Sequence, residues 1–187
     1  MSTTAHPSAD NQPERLLILL PPLEYRMEFK TEAHRQAHEL TRDYLYSLFG
    51  EVNVKTMDDT FVMQDGSTFV YVRAFPIAET KSGVEIFAYV VVDVDVTEQL
   101  MRYLLTYNLR LILGAFGLAR GEGEKGTVML THTILGNSMD RDDLYGSVSA
   151  IARVADDLDD QIVTAFGGTT ALGKLMSGKK EPVEYWE

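Results

Sequence analysis

Two neighbouring stretches, Ser67–Ala78 and Val84–Val94, alternate like β-strands, yet both of their faces are apolar. Val70, Val72, Ile86, Ala88 and Val90 fall on one side and Phe69, Tyr71, Phe87 and Tyr89 on the other, because successive strand residues point to opposite faces. A sheet made of such strands needs cover on both sides. Amphipathic segments elsewhere in the chain can supply it.

Three such segments are present. From Thr31 to Phe49, Ala33, Ala37, Leu40, Tyr44, Leu45, Leu48 and Phe49 recur at helical spacing, with Thr31 as cap and Gly50 as stop. Thr97 caps a second helix carrying Leu100, Met101, Leu104, Leu105 and Leu109. The third and most regular runs from its cap Asp140 to the stop Gly167-Gly168, with Leu144, Val148, Ile151, Ala155, Leu158, Ile162 and Phe166 at steps of three and four. Between them lie the extended segments. Val52–Met63, Ser67–Ala78 and Val84–Val94 are joined by turns at Gln64–Gly66 and Lys81–Gly83, and Leu111–Ala119 is joined to Thr127–Leu135 through Gly121–Gly126. The order α-β-β-β-α-β-β-α gives an α+β fold with an antiparallel sheet.

One domain accounts for the length of 187 residues. It is expected over residues 31–168, with a flexible tail at 1–14, an N-terminal extension at 15–30 and a short C-terminal tail at 169–187. The run Leu16–Leu20 is too short for a signal peptide and is expected to pack on the body or on a second subunit. No segment has the unbroken apolar length of a membrane span, so a cytoplasmic site is expected. The chain has no cysteine, which removes disulfides, thiolate chemistry and cysteine-held metals. A net charge of −11 disfavours nucleic acid and anionic membranes as partners.

The run LRLILGAFGL from Leu109, the stretch GTVMLTHTILG from Gly126 and the helix RDDLYGSVSAIARVADDLDDQIVTAFGG from Arg141 resemble the YbjN family, whose domains look like the class I chaperones of type III secretion. The resemblance reaches back more loosely to Thr31. It implies a small acidic homodimer that engages an extended segment of a client protein, without cofactor, metal or catalytic residues. The dimer contacts it implies lie on the second helix and the strand after it, at Leu104, Tyr107, Asn108, Leu113 and Phe116. These residues pack equally well inside one subunit. Aromatic side chains anchor interfaces, so Phe69, Tyr71, Arg73, Phe87 and Tyr89 form the candidate client face. Alternation leaves open whether that side is free or lies beneath the helices. A regulatory subunit that binds a folded partner remains a further reading.

The enzyme alternative rests on Val90–Thr97, V-V-V-D-V-D-V-T, which looks like the first motif of Mg²⁺-dependent haloacid-dehalogenase-type phosphatases, with Asp93 as nucleophile and Asp95 as general acid and base. That fold needs further strand–helix units, and only one hairpin and one long helix follow the second helix. The glycines and lysine of Gly168–Lys174 have phosphate-loop spacing but follow a helix, and Leu175 stands where Ser or Thr would hold Mg²⁺. Asp156, Asp157, Asp159 and Asp160 read as the solvated face of the last helix. His34 and His38 lie one turn apart but lack the glutamate of a zinc-protease helix, and His132 reads as a structural strand residue.

Overall fold

The computed structural model describes residues 28–121 and 123–177, so the tail at 1–14, the run Leu16–Leu20 and residues 178–187 lie outside the described residues. Thr31 accepts a hydrogen bond from the His34 amide and opens α1 (Glu32–Phe49), which ends at Gly50. A 3-10 turn (Glu51–Asn53) leads into β1 (Lys55–Met57), β2 (Thr60–Asp65), β3 (Thr68–Ala78) and β4 (Lys81–Asp95). Thr97 caps α2 (Glu98–Asn108), after which β5 (Ala115–Arg120) and β6 (Lys125–Leu135) form a hairpin. Asp140 and Asp143 close a capping box on α3 (Arg141–Phe166), and β7 (Thr169–Thr170) and α4 (Ala171–Ser177) follow.

The sheet runs β1-β2-β3-β4-β6-β5, and every pairing is antiparallel. The α+β class and the expected order of main elements are those of the structure. β4 outruns β3, whose pairing stops at Ala88, and β7 takes the vacated edge at Val91 and Val92. β7 and α4 thus continue the body beyond the glycine stop.

Three boundaries differ from the sequence reading, each for a local reason. The single strand expected over Val52–Met63 is broken by a tight turn at Asp58 and Asp59, with Met57 paired to Thr60 and Asp58 at φ 52°. Aspartate tolerates that left-handed conformation because its short side chain bonds locally. Lys81–Gly83 belong to β4, since the turn is made by Glu79 and Thr80. Gly83 is there for space, not for a turn: a Cβ on it would meet the Phe75 ring at 2.4 Å. β5 begins at Ala115 and not at Leu111, because the Asn108 side chain accepts from the Phe116 amide at 2.7 Å and donates to its carbonyl at 3.3 Å, fixing the strand start.

The two sheet faces are covered unequally. Val70, Val72, Ile86, Ala88 and Val90 lie in the main core with Leu45 of α1, Leu100 and Leu104 of α2, and the buried stripe of α3. Phe69, Tyr71, Phe87 and Tyr89 lie opposite, in a smaller cluster with Val62, Val92 and the α4 residues Ala171 and Leu175. Among the described residues, a seven-residue helix thus serves the aromatic side while three longer helices serve the aliphatic side.

Candidate functional site

β1 begins only at Lys55, and that leaves a site. Its register with β2 stops at the pair Lys55 and Val62, so Met63–Asp65 of β2 have no strand on their outer side among the described residues. The chain turns away there because Glu51–Asn53 form a 3-10 turn instead of a longer strand. The space left is a cleft of about 560 Å³ between the sheet edge, the end of α1 and the middle of α3. Phe49, Met63, Phe69, Val70, Val148 and Ala152 give it an apolar lining, and Lys55, Gln64 and Asp65 add polar groups. Of the five client-face residues only Phe69 lines it.

The other members of that face are placed differently. Tyr71 stacks on Phe87 with centroids 5.1 Å apart, and Tyr89 packs edge-on against both rings. All four aromatics are buried. Arg73 is half-buried and pairs with Glu85 across the strands at 2.9 Å, extending the aromatic rows with a charged pair. The aromatic side is therefore not free at this end of the sheet, and α4 lies on it through Ala171, Leu172 and Leu175.

Asp93 and Asp95 are tied to different cations. Asp93 sits in an irregular part of β4 at φ 56° and pairs with the buried Lys174 of α4 at 2.6 Å, while Asp95 pairs with Lys125 of β6 at 2.7 Å. Their strand has antiparallel neighbours on both sides, whereas the phosphatase motif belongs at the end of a strand in a parallel, helix-alternating sheet. The phosphate-loop-like stretch is β7 and α4, with its lysine engaged by Asp93.

The acidic run on α3 is not simply solvated, a correction to the sequence reading. Asp159 is only 2 % exposed. The Ser67 hydroxyl, in the β2–β3 turn, lies 2.7 Å from Asp156 Oδ1 and 2.8 Å from Asp159 Oδ2, and the Ser67 amide donates to Asp156 at 2.8 Å. These contacts pin the turn to α3, and Gly66 is required beside them because a Cβ there would meet Asp156 Oδ1 at 2.4 Å. One hydroxyl proton serves two carboxylates, so the sites diverge. Burial raises the Asp159 pKa above the usual carboxylate value, against the lowering from Ser67 and the Asp160 amide, while the Ser67 hydroxyl and amide lower that of Asp156.

The two shifts have opposite stability signs. Asp159 favours folding in its protonated form, so its contribution grows as pH falls through its raised folded pKa and is complete below the unfolded value near 4. Asp156 contributes above its unfolded pKa and loses that contribution as pH falls through its lowered folded pKa. Asp159→Asn is therefore expected to be more stable than the unaltered chain at pH 7 by on the order of 1 kcal/mol, the advantage shrinking between pH 7 and about pH 4. Urea unfolding at both ends of that range measures it. A variant that is less stable at pH 7 would show that the ionised carboxylate is needed.

The histidines are structural in their contacts. His34 Nε2 lies 3.2 Å from the Ala74 carbonyl, His38 stacks on Phe61 at 4.8 Å, and Phe29 packs against both rings. Burial lowers the pKa of His38 and of His132. Among the described residues no group of three or more histidine or acidic side chains comes together to hold a metal. No described helix is long and apolar enough to cross a membrane.

Of the candidate dimer residues, Leu104 and Phe116 are buried in the protomer, Asn108 is committed to β5, Tyr107 packs edge-on against Phe116 and Leu113 is half-buried. What α2 leaves outside is a second stripe one residue round: Met101, Leu105 and Leu109, continued by Ile112. Leu109 is 88 % and Ile112 97 % exposed. The spacing of four from Met101 to Leu109 was legible in the sequence, but a stripe that faces water looks the same there as one that faces a core. The cleft carried no such signal, because Phe49, Val148 and Ala152 meet only through the packing of α1 against α3.

The profile of a known family, described as TY-Chap1, "T3SS (YopN, CesT) and YbjN peptide-binding chaperone 1", matches residues 35–174. No curated protein matches the chain in sequence. Among solved structures, the chain is similar to one in the crystal structure of the ExsC–ExsE complex, at 15 % identity and a TM-score of 0.49 over 68 % of this chain and 93 % of that one. It is also similar to an uncharacterised protein from Methanothermobacter thermautotrophicus, at 14 % identity and a TM-score of 0.38 over 69 % of this chain and 97 % of that one. With the family profile spanning α1 to α4 on an antiparallel α+β body, the chain belongs to the family of T3SS and YbjN peptide-binding chaperones.

Proposed function

We propose that this protein is a non-catalytic, cytoplasmic chaperone that works as a homodimer and holds an extended segment of a client protein. The observation that carries the reading is the cleft beside the free edge of β2. An extended peptide can hydrogen-bond to Met63–Asp65 as an added strand while one of its apolar side chains enters the space between Phe49, Val148 and Ala152. The excess of acidic over basic residues favours clients with Lys or Arg beside their apolar anchors. Asp93 and Asp95 are read as structural, because each is occupied by a lysine.

The homodimer is supported by the apolar stripe Met101, Leu105, Leu109 and Ile112, which is exposed on the protomer. A second copy is the occupant that fits, since one stripe meets its own image across a two-fold axis. Leu104 and Phe116 belong to the main core, and Tyr107 packs against it.

Selection from a random peptide library on the purified chain tests client binding. Peptides with alternating apolar residues and flanking Lys or Arg are expected. Ser149 is half-buried in the cleft wall, so Ser149→Trp fills the space at little cost to the core and is expected to weaken the selected peptides at least about tenfold. Failure to select any peptide, or unchanged affinity in a folded Ser149→Trp variant, would count against the cleft.

A further inference from the structure

The aromatic cluster on the second sheet face is covered by one short element, α4. α4 has seven residues, too few to be a stable helix by itself. It is joined to α3 through Gly167 and Gly168, both at positive φ, and Gly168 passes so close to β4 that a Cβ would meet the Val92 carbonyl at 2.8 Å. The Thr170 hydroxyl accepts from the Gly173 amide at 3.1 Å, a single cap on its first turn. On the sheet, Ala171 and Leu175 enter the aromatic cluster, and the ammonium of Lys174 reaches Asp93.

Two features of the bed point to exchange rather than permanent closure. Asp93 is held in a left-handed conformation that β-strand residues avoid, and it is the acidic receptor for Lys174. The Tyr89 hydroxyl is buried with no hydrogen-bond partner among the described residues, a group that the covered state leaves unsatisfied. A polar side chain on a displacing segment can supply that partner.

We propose that β7 and α4 form a strap that occupies, in cis, a second client-binding face made by Phe69, Tyr71, Phe87 and Tyr89. The partner that displaces it is a basic amphipathic segment repeating the strap's own pattern: a small apolar residue, then three and four positions later a lysine or arginine and a large apolar residue, as in Ala171, Lys174 and Leu175. The cation replaces Lys174 on Asp93, and the apolar residues replace Ala171 and Leu175 over the rings. This rests on the peptide-binding reading but concerns a different face from the cleft.

The chain has no native cysteine, so an engineered pair is unambiguous. Val91 and Thr170 are facing residues of β4 and β7, and directly opposed antiparallel residues have Cα separations that admit a disulfide. The full-length Val91→Cys/Thr170→Cys protein, oxidised, has its strap tethered past the glycine hinge; reduced, the strap is held by its non-covalent contacts alone. The probe is a fluorescent synthetic peptide of residues 168–177, measured by anisotropy. The reduced form is expected to bind it at least about tenfold more tightly than the oxidised form. Leu175→Asp, which loosens the strap in full-length protein, is expected to exceed both, and a probe carrying Glu in place of Lys174 is expected to lose the gain. Equal binding by oxidised and reduced forms, or no gain in Leu175→Asp, overturns the strap. Library-selected peptides that bind oxidised and reduced forms equally leave the cleft standing and overturn the strap as a gate for clients. A library that yields no peptide counts against the cleft alone, because the strap probe is measured independently.

Discussion

Leu109→Asp/Ile112→Asp is expected to be a monomer at concentrations where the proposed homodimer of the unaltered chain forms. The two side chains are 88 % and 97 % exposed in the protomer, so their replacement removes almost no internal packing. Against a second copy each would bury apolar surface worth about 1.5–3 kcal/mol, and two paired aspartates would have to be desolvated in place of each lost contact. A combined loss of at least about 4 kcal/mol weakens self-association roughly a thousandfold. Sedimentation across a concentration series reads the mass. Leu104→Asp is the contrast, because Leu104 is 3 % exposed and belongs to the main core, so that variant is expected to lose its fold and not merely its partner. An unaltered chain that is monomeric throughout, or a double variant that keeps the dimer mass, sinks the α2 stripe as the interface.

That contrast also marks where sequence reading reached its limit. The α3 stripe from Leu144 to Ile162 was legible because a helix long enough to show seven turns of regular spacing has one buried side wherever it packs. The two-faced strands were legible for a similar reason, and the demand for cover on both sides is met by helices on one face and α4 on the other. Asp58 broke an expected strand because one aspartate at positive φ turns the chain without the glycine or proline that usually announces it. Asp159 looked solvated because its neighbours Asp157 and Asp160 are, and only the return of the β2–β3 turn to α3 buries it against Ser67. Of the site, Phe69 could be named from alternation, but its partners Phe49, Val148 and Ala152 come from separate helices whose packing angle no local pattern encodes.

Ile151→Ala is expected to produce the largest loss of stability of any single truncation on α3, about 2–5 kcal/mol. Ile151 is fully buried in the main core. Its Cδ1 also lies against the turn at Gly114, where a Cβ would come within 2.9 Å of it, so the side chain joins the middle of α3 to the residue that precedes β5. Removing it opens a cavity that neither neighbour can collapse into. Gly114 has no side chain to move, and its backbone is fixed at φ 79° with the Asn108 bonds holding the strand start just beyond it. For a chain of this size the loss corresponds to a fall in thermal midpoint of about 5–20 °C. Ile151→Val, which deletes one methyl group, is expected to cost about 0.5–1.5 kcal/mol, and Tyr145→Ala, on the exposed side of the same helix, still less. Because β5 is the sheet edge that lies beside α2, loosening its first residues also disturbs the surface on which the proposed dimer stripe is mounted. Ile151→Ala is therefore expected to weaken self-association as well as folding, while Ser149→Trp, two residues away but in the cleft wall, is expected to leave the dimer intact. Calorimetry and sedimentation on the unaltered chain, Ile151→Ala and Ser149→Trp separate the effects; a stable Ile151→Ala variant with a melting midpoint within 2 °C of the unaltered chain would mean that α3 does not anchor the start of β5.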